Sequence, residues 1–72
     1  MDVREYTNIV IEKNGEFLVS YDSIRNTLRW STSPYDAWMT RSKDKALMVS
    51  GRVHGTCFLF NPVVNQLRRM ML

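Results

Sequence analysis

His54 and Cys57 stand three residues apart, a spacing at which an imidazole and a thiolate can meet on one metal ion or act together as base and nucleophile. A structural zinc site takes four protein ligands, and this chain holds one histidine and one cysteine, so no metal is expected. The nucleophile reading needs an accessible thiol beside positive charge. Cys57 instead falls in Thr56 to Phe60, TCFLF, a short apolar run of the kind found in a strand covered on both faces. Asp22 and Asp36 could pair as general acid and base, but both sit where turns and caps use Asp to bind backbone N–H groups. The glycines, Gly15, Gly51 and Gly55, are too scattered for a phosphate loop. No catalytic constellation and no cofactor site emerge, and the expectation is a non-enzymatic protein.

Charge and soft apolar groups remain. The net charge of +3 is unevenly distributed. Residues 1 to 36 carry four cations against six acids, a net of −2, whereas residues 37 to 72 carry six cations against Asp44 alone, a net of +5. Such asymmetry suits an acidic partner, although a basic run also serves simply as a solvated face. Two sets of residues compete for that partner. Arg29, Arg41, Lys43 and Lys45 lie close in sequence to Trp30, Tyr35 and Trp38, and cations around an aromatic platform hold single-stranded nucleic acid. No helix-turn-helix, zinc-finger or ribonucleoprotein signature accompanies them, and in so small a domain both tryptophans are expected in the core. Met48, Arg52, Arg68 and Arg69 combine methionine and arginine, types enriched at the centres of protein interfaces. Together with the outward face of the first hairpin, this second set is the expected contact surface for another protein, a second copy of the chain included. Met70 to Leu72 either join it or fold back onto the sheet.

The elements that must position these residues centre on Ser42 to Gly55, SKDKALMVSGRVHG. Ser42 can cap a helix, Gly55 can end it in the left-handed conformation, and Ala46, Leu47, Val49, Ser50 and Val53 share one face between them. Lys45, Met48, Arg52 and Asp44 fall outside that face. Before the helix, residues 6–13 and 16–21 read as strands joined by Asn14-Gly15, a strong signal for a type I′ hairpin. A two-residue loop sets Lys13 opposite Glu16, Ile11 opposite Leu18 and Ile9 opposite Ser20, with Glu12, Val10 and Asn8 opposite Phe17, Val19 and Tyr21. Residues 1–5 are polar and expected to fray. DSIRN, 22–26, forms a turn into a third strand, TLRWS, with Leu28 and Trp30 inward and Arg29 outward. Ser33-Pro34-Tyr35-Asp36 predicts one helical turn, after which residues 37–40 run along the sheet edge with Trp38 partly buried. Residues 61–72 fit either a helix capped at Asn61-Pro62 or a turn into a final strand, QLRRM, and the turn is the reading adopted.

An α+β fold follows, a small antiparallel sheet of four to five strands packed against one main helix in the order β-β-β-α-β-(β). Seventy-two residues make a single domain near the lower size limit for a self-sufficient core, with eight aromatics and five methionines to fill it. One cysteine excludes an intrachain disulfide and suits a reducing cytoplasm. No apolar run approaches membrane-spanning length, and MDVREYTN lacks the apolar block of a signal peptide, so no membrane partner is expected. The succession NGEFLVSY, LRWSTSPYDAW, Ser42 with Lys45-Ala46, Gly55 and CFLFNPVV resembles small uncharacterised bacterial and bacteriophage-encoded proteins of the mobile-element accessory kind. The resemblance implies a β-β-β-α-β domain and, with the basic half, an inhibitor or modulator of a host protein. It carries over no functional residue.

Overall fold

The computed structural model describes residues 8–70. Tyr6 and Thr7, expected in the first strand, the polar residues 1–5, and Met71 and Leu72 lie outside that range. Five strands and one long helix follow in order: β1, Asn8–Lys13; β2, Glu16–Asp22; β3, Thr27–Ser31; a 3-10 turn, Pro34–Asp36; α1, Lys43–Val53; β4, Thr56–Asn61; and β5, Gln66–Arg69. The strands form one antiparallel sheet in the order β3-β2-β1-β4-β5, so the first strand of the chain becomes the centre. This is the expected α+β architecture, with the chain turning back at residue 61 into a strand. The helical alternative for this stretch is overturned.

β1 alternates between two apolar layers, which is why it can be central. Ile9 and Ile11 join Leu18, Ala46, Val49, Val53 and Cys57 beneath α1, while Val10 joins Phe17 and Phe60 on the opposite face. The second layer is covered by chain as well as strand. Ala37, Met39 and Phe58 pack against it, and the Tyr35 ring meets Phe60 edge-on, with centroids 5.1 Å apart and planes at 87°. Burial of such side chains stabilises the fold by roughly 1.5–3 kcal/mol each.

α1 begins as expected, with the Ser42 hydroxyl accepting from the Lys45 amide at 3.2 Å. Its end differs. His54, not Gly55, takes the left-handed conformation, at φ 58°, and the N–H groups of both residues return to the Ser50 carbonyl. Gly55 is glycine for a different reason: a Cβ there would sit 2.5 Å from Ile11 Cγ2 and 3.1 Å from the Glu12 carbonyl oxygen. The helix-to-β4 junction presses directly on the central strand. Lys13 reinforces it from β1 by donating to the Val53 carbonyl at 3.2 Å, a cation at the negative end of the helix dipole.

The first hairpin departs from its expected register. Asn14 (φ 54°) and Gly15 (φ 83°) form the turn, and Lys13 faces Glu16 and Glu12 faces Phe17 as predicted. Beyond those pairs β1 and β2 part. The segment 38–40 enters the gap: the Trp38 N–H donates to the Leu18 carbonyl, and Thr40 exchanges both backbone bonds with Ile9. Ile9 therefore pairs with Thr40 and not Ser20, and residues 37–40 do not run along the sheet edge. β2 also carries a bulge, where the pairing with β3 slips between Leu18 and Ser20. The slip moves Tyr21 onto the helix side of the sheet, opposite Leu28 and away from the face of Phe17. Leu28, expected inward, is 43% exposed, because the helix-side core at that end is filled by Tyr21 and Trp30.

Candidate functional site

The bulge in β2 and the inserted segment 38–40 act together on one place. By turning Tyr21 toward α1 and holding Trp38 beside Leu18, they line one wall of a groove whose other wall is the exposed edge of the helix. Tyr21, Trp38, Lys45, Met48 and Val49 line a space of about 210 Å³. That is below the ~300–1,000 Å³ of most small-molecule sites, and it fits one or two apolar side chains. Met48 stands over it 52% exposed, although its neighbour Val49 is buried. At helical spacing, Lys45, Met48 and Arg52 lie along one stripe. Arg52 closes the far end by donating from Nη1 to the Tyr21 hydroxyl at 3.0 Å. The same bond holds the Arg52 guanidinium above its ordinary pKa, the interaction with Tyr21 outweighing the small effect of burial. The groove is therefore apolar within and positive at its rim, and no acidic side chain is among its lining residues.

The four residues expected to meet a protein partner separate into two places. Met48 and Arg52 share the groove. Arg68 and Arg69 lie on β5, where pairing of Arg68 with Leu59 and of Arg69 with Phe58 puts the first on the helix side and the second on the opposite face. The nucleic-acid set also disperses. Arg29 projects from the face opposite to Trp30 and α1, while Lys43 and Lys45 are exposed on the helix two positions apart, a spacing that points them in different directions. Arg41 is exposed just ahead of the helix cap. Trp30 and Trp38 pack on the helix-side core, whereas Tyr35 stands against Phe60 on the opposite face with its hydroxyl donating to the Pro62 carbonyl at 3.2 Å, so the three rings do not share one surface.

The residues with catalytic chemistry are occupied locally. Cys57 is buried, its Sγ donating to the Ala46 carbonyl at 3.7 Å, while His54 is exposed at the helix end. The Asp22 carboxylate accepts the Ile24 and Arg25 amides at 3.0 and 3.1 Å, and Asp36 accepts from the Ser31 hydroxyl at 3.1 Å. Among the described residues, no group of three or more His, Cys, Asp or Glu side chains could hold a metal ion. No helix among them is long and apolar enough to cross a membrane.

The sequence does not mark Tyr21 or Val49 as groove residues, and it offers Trp38 both as a partly buried core residue and as part of an aromatic platform. Strict alternation along β2 hides Tyr21, since only the bulge brings it to the helix. Met48 was identifiable as an apolar residue on the wrong side of an amphipathic helix. Comparison with known protein families, curated proteins and solved structures finds no match.

Proposed function

We propose that the protein is a small non-enzymatic binding module that docks on another protein, receiving an apolar side chain flanked by carboxylates into the groove of Tyr21, Trp38, Met48 and Val49. The carrying observation is the half-exposed Met48 over an apolar groove with Lys45 and Arg52 at its rim. Methionine adapts its shape to a guest side chain, and aromatic walls supply contact area at small conformational cost. The two cations select an acidic partner and add a salt-sensitive contribution to its encounter rate. In line with the resemblance to phage-encoded accessory proteins, the partner in this proposal is a host protein whose activity is modulated by the contact.

A blocked peptide with leucine between two glutamates, titrated against tryptophan fluorescence, tests the reading beside its lysine counterpart and a mixed-sequence oligonucleotide. The glutamate peptide should bind more tightly than the lysine one, and Met48→Asp should weaken it at least about tenfold. Preferential binding of the oligonucleotide, lost on Lys43→Glu with Lys45→Glu and untouched by Met48→Asp, would instead establish a nucleic-acid binder.

A further inference from the structure

The outer edge of β5 is a second surface, separate from the groove. All four of its residues are exposed, and β5 is the last strand of the sheet on that side. The Met70 amide donates to the Cys57 carbonyl at 3.2 Å. In an antiparallel ladder the residues that bond to one neighbour alternate with those that do not. With Met70 turned toward β4, Gln66 and Arg68 turn the same way, and the N–H and C=O groups of Leu67 and Arg69 point outward. Arg68 and Arg69 flank this edge on opposite faces, and neither guanidinium has a hydrogen-bond or ion-pair partner among the described residues. Leu67, 41% exposed, extends the apolar row of Phe60 outward.

We propose that this edge accepts an added strand, an extended acidic segment of another protein, paired through Leu67 and Arg69 and held by Arg68 on one face and Arg69 on the other. A strand supplies alternating donors and acceptors that match the outward N–H and C=O groups, which a phosphodiester backbone, lacking donors at that spacing, does not. A second copy of the chain fits poorly. The register that pairs all of β5 with its own copy sets Arg68 against Arg68 and gathers four guanidiniums in one ribbon, and like charges directly opposite destabilise a strand pair. Shifted registers that avoid this shorten the pairing. Consecutive arginines thus guard the edge against self-association while leaving it open to carboxylates.

The proposal goes beyond the groove reading and is tested apart from it. The isotope-labelled chain is titrated with a blocked hexapeptide of two central glutamates flanked by valine and threonine, and backbone amide shifts are followed by NMR. The Leu67 and Arg69 amides should move most. The same peptide N-methylated on alternate residues should bind at least about tenfold more weakly to the unaltered protein, because the hydrogen bonds to β5 are lost. Arg68→Glu with Arg69→Glu should exchange the preference for a lysine peptide. Equal affinity for the N-methylated peptide would overturn the proposal, as would shifts confined to Tyr21 and Met48. Movement of the Leu67 and Arg69 amides with protein concentration alone would give the edge to a second copy and overturn it equally.

Discussion

The β2–β3 and β4–β5 hairpins flank the same central strand and close with the same kind of turn. Asp22 and Asn61 each stand immediately before a four-residue loop and accept backbone amides within it, and Asn26 (φ 54°) and Asn65 (φ 50°) each end it in the left-handed region. Both turns project from the same end of the sheet and carry exposed aliphatic residues, Ile24 on one and Val63 and Val64 on the other. Beyond the turns the hairpins diverge. β4 pairs with β1 from Asn8 to Glu12 without interruption, whereas β2 leaves β1 after two pairs, admits residues 38–40 and slips by one residue against β3. The regular side yields a plain edge, and the irregular side yields a groove. Local turn chemistry is thus shared by the two hairpins, and what distinguishes them is long-range packing. Departures from regular pairing are where the fold opens the groove, the place proposed to receive a partner side chain.

Truncation of the inner strand on the irregular side and of the outer strand on the regular side should differ widely. Leu18→Ala, in the fully buried part of β2, should cost about 2–5 kcal/mol, enough to unfold much of so small a protein, while Leu67→Ala on β5 should stay within about 0.5 kcal/mol. Urea denaturation measures both, and comparable losses would break the comparison. Gly55→Ala tests the strand the two sides share. Its Cβ would press on Ile11 and the Glu12 carbonyl, and overpacking of this kind should cost about 1–3 kcal/mol. A neutral result would show that the helix end does not bear on β1. The smallest effects belong to the turns, where the two sides should agree: Asn26→Ala and Asn65→Ala should each lose about 1 kcal/mol, and the glycine replacements should be close to neutral. Unequal losses in thermal unfolding would show that the two turns are alike in shape only.

The parts of the fold readable in advance are those set within a few residues. Asn14-Gly15, the Ser42 cap and the amphipathic stripe of Ala46, Val49 and Val53 each act locally, and each stands where the sequence places it. The repeated spacing of Asp22 to Asn26 and Asn61 to Asn65 is a signal of the same kind that would have marked both turns together. Gly55 shows the limit: a glycine after a helix suggests a left-handed cap, yet here its missing Cβ answers to Ile11, forty-four residues away in the chain. The insertion of Trp38 to Thr40 and the bulge beside Val19 depend on which strands meet, and alternation within β2 cannot report them. For the site, Met48 and Arg52 were readable from helical spacing, but their neighbour Tyr21 was not. Composition groups Arg68 and Arg69 with them, and strand pairing sends them elsewhere.

The most direct test of the account is the Met48 ε-methyl resonance, followed by 13C NMR as the chain is titrated with the glutamate-flanked leucine peptide at low and high salt. The groove reading predicts a saturable shift of that methyl group, with weaker binding at high salt as the Lys45 and Arg52 contributions are screened. A methyl resonance that stays in place at saturating peptide, while a mixed-sequence oligonucleotide moves the Lys43 and Lys45 amides, would contradict it.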